Sequence, residues 1–210
     1  MRNHRPLRGL YAITPEDADT RRLLQRVGKV LDQGIALLQY RNKRGDASLR
    51  MEQALALKLT CLPYDVPLIV NDDIALARQV QADGVHLGVG DGAVATAREE
   101  LGEHALIGVT CHASIERAQA AKKAGADYLA FGAFHPSPSK PDAPVADPAI
   151  LREAKSLGLP LAAIGGIKPA HVAALRASGA DMVAVISGLW AAHDPAAAAR
   201  AYIDAFGHED

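Results

Sequence analysis

Short apolar, β-branched runs alternate along this chain with longer amphipathic stretches, and that alternation restricts the fold more than any other feature. The runs span residues 7–14, 35–43, 66–71, 84–88, 105–110, 128–135, 161–167 and 182–189, eight in all. Helix-like segments lie near 19–33, 46–61, 73–81, 92–101, 114–124, 148–157, 169–178 and 195–206. Strands alternating with helices imply parallel βα units joined by right-handed crossovers. Eight such units favour closure into a (β/α)8 barrel of the α/β class. The runner-up is an open doubly wound sheet, but no run carries the glycine-rich dinucleotide turn of that class.

The punctuation agrees with this register. Asp147-Pro148 and Asp194-Pro195 each read as an N-cap followed by proline at the first helical position, and Pro169 likewise opens a helix. Gly34, Gly125 and Gly179 fall where helices should stop before strands. Gly125-Ala126-Asp127 and Gly179-Ala180-Asp181 are two copies of one helix-to-strand turn, which suggests a repeated unit rather than a second domain. Residues 1–210 are therefore read as one (β/α)8 domain. The one long connection, 135–146, is rich in proline and serine, as binding loops often are.

Bulk properties exclude several roles. With 23 basic against 24 acidic residues and a net charge of -1, the chain has no excess of positive charge for nucleic acid. No apolar run reaches the ~20 residues that span a bilayer, and the first eight residues lack the apolar core of a signal peptide. Two cysteines, Cys61 and Cys111, make no disulfide framework. A cytoplasmic protein without a membrane partner is expected. Ala-rich exposed helix faces suggest a homo-oligomer.

Chemistry in such a barrel gathers at the C-terminal ends of the strands, so polar residues there need a reason. The second run ends in Gln39-Tyr40-Arg41-Asn42-Lys43, and period two puts Gln39, Arg41 and Lys43 on one face. Arg supplies a planar fork of donors and Lys a point charge, which suits an anion of more than one charge; the bland reading is a solvated strand end. The third run ends in Asn71-Asp72-Asp73 and the fourth is followed by Asp91. Asp73 reads as a helix cap. Asp72 reads as a metal ligand, and for Asp91 cap and metal stand level. Together they suit Mg²⁺, which takes few carboxylates and shares phosphate oxygens.

The fifth run ends in Thr110-Cys111-His112. Adjacent residues of a strand point opposite ways, so a Cys–His dyad is not expected. Cys111 reads as a buried filler, His86 as a satisfied barrel residue, and His112 as structural or as a proton carrier. Ser137-Pro138-Ser139-Lys140 offers hydroxyls and an ammonium that can close over a phosphate. Gly165-Gly166 and Ser187-Gly188 end the seventh and eighth runs, where phosphate sites recur in barrels. One mouth thus holds two anion sites.

In this order and spacing, Gln39 to Lys43, Asn71 to Asp73, Asp83 to Gly88, Asp91, Gly108 to His112, Ser139-Lys140-Pro141, Ile164 to Ile167 and Ile186 to Gly188 resemble the thiamine phosphate synthase family over residues 7–206. The resemblance implies a transferase of thiamine biosynthesis that joins a hydroxymethylpyrimidine diphosphate to a thiazole phosphate. The products are thiamine phosphate and pyrophosphate, and Mg²⁺ is required. It further implies that Gln39, Tyr40, Arg41, Asn42, Lys43, Asn71, Thr110 and Lys140 bind the pyrimidine diphosphate, and that Asp72 and Asp91 hold Mg²⁺. Ser137, Pro138, Ser139, Gly166, Ile186 and Ser187 would bind the thiazole phosphate. Arg41, Lys43, Thr110 and Lys140 would be catalytic, the cations neutralising charge on the departing pyrophosphate. The chain departs from the family pattern at Val89-Gly90, at Ser137-Pro138-Ser139 and at Lys168. Two rivals are a related thiazole tautomerase, with His112 moving protons, and a non-catalytic barrel that binds both phosphates.

Overall fold

The computed structural model describes residues 6–88, 90, 92–136 and 144–207. Eight parallel strands close a barrel in chain order: β1 (Gly9–Ile13), β2 (Leu37–Tyr40), β3 (Leu68–Asn71), β4 (Gly84–Leu87), β5 (Leu106–His112), β6 (Tyr128–Phe131), β7 (Leu161–Ile164) and β8 (Met182–Val185). Pairing of Gly9 with Met182 and of Leu10 with Val183 completes the ring. Helices α1 (Thr20–Leu31), α2 (Ala47–Cys61), α3 (Ile74–Gln79), α4 (Val94–Leu101), α5 (Ile115–Lys123), α6 (Ala149–Ala154) and α7 (Pro169–Ala177) each follow a strand, and α8 (Ser187–Trp190) and α9 (Pro195–Phe206) follow the last. No helix among the described residues is long and apolar enough to cross a membrane.

Alternation along the strands sorts side chains into two layers. Tyr11, Ile13, Leu37, Ile69, Leu106, Tyr128, Ala130, Ala162, Met182 and Ala184 fill the barrel interior. Leu10, Ala12, Leu38, Tyr40, Leu68, Val70 and their counterparts face the helices. On α2 the outward Leu55 and Leu59, followed by Leu62, stay exposed.

Two expectations need adjusting. The run 182–189 does not continue as strand beyond Val185: Ile186 leaves extended geometry (φ -113, ψ -86), and α8 begins at Ser187. Leu189 and Trp190 are buried there, and Trp190 Nε1 donates to the Ile13 carbonyl at 2.5 Å. The apolar pattern was real, but it belongs to a short helix whose Leu189 and Trp190 pack into the core. The second difference is Asp147, which accepts from Ala149 N while Pro148 occupies the cap position of α6. Asp194 and Pro195 take the expected places at α9.

The repeated turn has three copies. Asp83, Asp127 and Asp181 each stand just before a strand. Each accepts the first backbone N–H of the preceding neighbour strand or the one after it, from Leu68, Ile107 and Leu161 at 2.9, 2.7 and 2.9 Å. Each also pairs with a cation of the helix region behind it: Lys58 at 2.6 Å, Arg98 at 2.7 Å and Lys155 at 2.6 Å. The carboxylate thereby ties two strands and a helix together at the N-terminal face, away from the mouth. In the third copy the left-handed residue is not glycine but Gln81, at φ 51, against 96 at Gly125 and 114 at Gly179. A non-glycine residue held there is strained by about 1 kcal/mol. Gln81→Gly is therefore expected to raise thermal stability by roughly 2–4 °C; an unchanged or lower melting temperature would contradict the strain.

Both cysteines are free and buried. Burial pushes each thiol up to about 12, so the reactive thiolate is scarce at pH 8. Native protein should give no reaction with a disulfide reagent at that pH, and two equivalents in guanidinium; rapid labelling of folded protein would contradict the packing.

Candidate active site

The mouth of the barrel is built from the turns after the strands. On β2, Gln39 points inward beside Leu37 and donates through Nε2 to the Tyr11 hydroxyl at 2.6 Å. Two residues on, Arg41 is clasped by Thr14: its N–H donates to Thr14 Oγ1 at 2.9 Å, and that hydroxyl donates back to the Arg41 carbonyl at 3.3 Å. The Arg41 guanidinium rests against Glu16 at 3.4 Å, and Arg44 meets the other oxygen of the same carboxylate at 3.0 Å. Lys43 reaches across to Asp72 at 3.3 Å. Of the two cations expected at the anion, Lys43 therefore touches the carboxylate expected at the metal, while Arg41 is held by Glu16.

Asp72 owes its position to backbone geometry. It has φ 65, left-handed, and its N–H donates to the His86 carbonyl at 2.8 Å. Asp and Asn are the non-glycine residues that tolerate this region best. The turn frees Asp73 to cap α3, accepting from Leu76 N at 2.9 Å while pairing with Arg50 at 3.3 Å. Asn71 ends β3 beside them. A cavity of about 620 Å³ beside them is lined by Lys43, Asn71 and Asp72 together with Tyr40, Asn42 and Val70, so it extends over the helix-facing side of β2 and β3 rather than the barrel axis. Ala93 holds the cap position of α4.

Tyr40 and Asn42 belong to the other face of β2. The Tyr40 hydroxyl donates to Gln53 Oε1 at 3.0 Å and Asn42 Nδ2 donates to the same oxygen at 3.1 Å. Asn42 Oδ1 accepts from the N–H groups of Arg44 and Gly45. Gln53, fully buried, passes the connection to the Asp17 carbonyl at 2.8 Å. The structure does not bring these two side chains into the inward-facing group; they hold the turn that carries Arg41 and Lys43.

Thr110 ends the inward face of β5, where His86 Nε2 lies 2.9 Å from its hydroxyl. Burial depresses the His86 imidazole to about 4, so it is neutral at physiological pH. A register shift between Thr110 and His112 turns the strand: Cys111 is buried and His112, at φ 53, is exposed.

The second anion site expected from the sequence falls on a backbone arrangement. Gly165 and Gly166 have φ 102 and 55. A Cβ on Gly166 would lie 2.2 Å from the Pro136 carbonyl oxygen and 2.5 Å from that of His135. His135 N donates to the Gly165 carbonyl at 3.1 Å. The turns after β6 and β7 are thus in backbone contact. Above them the His135 and His171 rings stack at 3.7 Å, and His171 Nδ1 accepts the Lys168 N–H at 3.2 Å. Ile186 and Ser187, half-buried, begin α8 alongside. Asp91, Ser137, Pro138, Ser139 and Lys140 lie outside the described residues.

The family model for thiamine monophosphate synthase matches residues 10–189, from β1 into α8. The chain belongs to the thiamine monophosphate synthase family. Within that family it is 56% identical over 195 residues to a thiamine-phosphate synthase of Xanthomonas campestris pv. campestris, covering 93% of this chain and 94% of the relative. It is 48% identical over 199 residues to a thiamine-phosphate synthase of Xylella fastidiosa, covering 95% and 85%. Among solved structures, thiamine phosphate pyrophosphorylase from Pyrococcus furiosus superposes with a TM-score of 0.85 at 32% identity, over 97% of this chain and 98% of that one.

Sequence reasoning missed several polar groups of this thiamine monophosphate synthase family barrel. Glu16 sits on the turn after β1, with no motif around it, and its role emerges only from the two arginines it gathers. Tyr11 and Tyr128 lie within the first and sixth apolar runs and carry no motif. The structure pairs Tyr11 in register with Leu37 of the inward face, and an aromatic at such a position looks like packing.

Proposed function

We propose that this chain is a thiamine phosphate synthase, which displaces pyrophosphate from a hydroxymethylpyrimidine diphosphate with the ring nitrogen of a thiazole phosphate. The observation that carries the reading is the family match across nearly the whole barrel, together with the Lys43–Asp72 contact at 3.3 Å. In the reaction the bond from the pyrimidine methylene carbon to the diphosphate oxygen breaks, and pyrophosphate takes the electron pair. The thiazole nitrogen lone pair forms the new C–N bond. Arg41, Lys43 and Lys140 neutralise the charge gathering on the departing oxygens. Gln39, Asn71 and Thr110 orient the pyrimidine diphosphate, with Tyr40 and Asn42 supporting their turn. Ser137, Pro138, Ser139, Gly166, Ile186 and Ser187 receive the thiazole phosphate.

The donor chemistry fits Mg²⁺. Asp72 is a hard oxygen donor at the mouth, already engaged with a cation, and Asp91 lies between Gly90 and Gly92 after the neighbouring strand. Mg²⁺ needs few carboxylates when waters and phosphate oxygens complete its shell. When bound it supplies positive charge for the leaving group. The completeness of the cation and carboxylate sets favours the synthase over a tautomerase. Exposed Leu55, Leu59 and Leu62 support a homo-oligomer, which sedimentation tests.

The deciding assay is pyrophosphate release by purified protein given both substrates, either one alone, and both without Mg²⁺. Release that requires both substrates and the metal is expected. Folded protein that releases none overturns the reading.

A further inference from the structure

Beneath the mouth, five polar side chains from five strands are joined in one line through the barrel interior. Gln39 Nε2 reaches Tyr11 Oη at 2.6 Å, Tyr11 Oη lies 2.8 Å from Tyr128 Oη, Tyr128 Oη lies 3.1 Å from His86 Nδ1, and His86 Nε2 lies 2.9 Å from Thr110 Oγ1. Tyr11, Tyr128 and Gln39 are at most 2% exposed, and His86 is 7% exposed. A line of buried hydroxyls across an apolar interior is costly unless every donor is used, so its direction can be worked out by counting hydrogens.

The Gln39 amide nitrogen only donates, so Tyr11 accepts there. Tyr11 has one hydrogen, and among the described residues its one other hydrogen-bond contact is Tyr128. Were Tyr128 to donate to Tyr11 instead, the Tyr11 hydrogen would be buried without an acceptor, a cost of roughly 1–3 kcal/mol. Tyr11 therefore donates to Tyr128, and Tyr128 to His86 Nδ1. An imidazole whose Nδ1 accepts from Tyr128 carries its hydrogen on Nε2, so His86 donates to Thr110. The Thr110 hydroxyl, half-buried at the mouth, already accepts from below, and its own hydrogen is left to point at the ligand.

We infer that Tyr11, Tyr128 and His86 are positioning residues that set Thr110 as an obligatory hydrogen-bond donor toward the diphosphate, in a wire that runs one way from Gln39. The inference rests on the proposed reaction for the identity of the anion, but not for the wire itself. Gly108 belongs to the device. A Cβ there would lie 2.1 Å from Cζ and 2.4 Å from the hydroxyl of Tyr128, so the ring reaches the barrel axis across a β5 position that has no side chain. A donor fixed toward the anion suits a leaving group that gathers negative charge. A freely rotating hydroxyl would have to be reoriented at each turnover.

Two measurements test this without turnover. Long-range ¹⁵N–¹H correlation should show His86 with Nε2 protonated and Nδ1 bare; the opposite tautomer overturns the wire. Calorimetric binding of inorganic pyrophosphate with Mg²⁺ should weaken about tenfold in Thr110→Val, the loss of one hydrogen bond to a charged group. It should weaken by several-fold in Tyr128→Phe, which keeps the ring and its fit over Gly108. Because Tyr128 acts through Thr110, the double variant should be no weaker than Thr110→Val alone. Additive losses, or no loss in Tyr128→Phe, overturn the positioning role. If wild-type protein fails to bind pyrophosphate, the diphosphate assignment falls whatever the tautomer. If binding and coupling hold while both-substrate assays release nothing, the wire stands and the proposed reaction falls.

Discussion

Asp72→Asn is expected to lower kcat/KM for pyrophosphate release about 10²–10³-fold while leaving the fold intact, by the magnitude typical of removing one group that stabilises developing charge. Asparagine is the informative replacement. The residue sits at φ 65, a region that asparagine tolerates almost as well as aspartate and alanine does not. Its backbone bond to the His86 carbonyl survives the change. What is lost is the negative charge alone, and with it the partner of Lys43 and the proposed metal ligand. The Mg²⁺ concentration needed for half-maximal rate should rise in the variant, and the melting temperature should stay close to that of the parent. Near-normal activity at ordinary Mg²⁺ would remove Asp72 from the metal site, whatever its distance from Lys43.

The barrel was legible in the sequence because its signals are local. Eight apolar runs, glycine at the helix ends and proline at helix starts each act within a few residues. The same locality explains the errors. The apolar run through Leu189 carries no mark that distinguishes a strand from a short helix, because Leu189 and Trp190 are buried in either case. The third copy of the strand-linking aspartate escaped notice because Gln81 replaces the glycine that flagged the other two. On β2, period two put Gln39, Arg41 and Lys43 on one face without deciding which way it points; the structure turns Gln39 inward and leaves Tyr40 and Asn42 on the opposite face. Their family motif drew attention to the ligand, whereas Gln53, eleven residues beyond Asn42 in the chain, satisfies both. Contacts made across the barrel, such as Tyr11 to Tyr128 over 117 positions, have no sequence signature at all.

Gly166→Ala is expected to cost about 2–3 kcal/mol of stability, the usual penalty for forcing a methyl group into filled space, and to raise the KM for the thiazole phosphate at least tenfold. The obstacle is backbone, not a side chain that can swing away. The new methyl carbon would sit 2.2 Å from the Pro136 carbonyl oxygen and 2.5 Å from that of His135. Relief requires the turns after β6 and β7 to separate, which breaks the bond from His135 N to the Gly165 carbonyl and disturbs the stacked His135 and His171 rings above it. A melting temperature lower by roughly 4–12 °C follows from the size of the chain. The two ends of the mouth should respond differently. Arg41, Lys43 and Asp72 stand after β2 and β3, on the far side of the ring, so pyrophosphate affinity should change little in folded variant protein. Equal damage to both affinities would mean that the mouth moves as one body and that its two anion sites are not independently built.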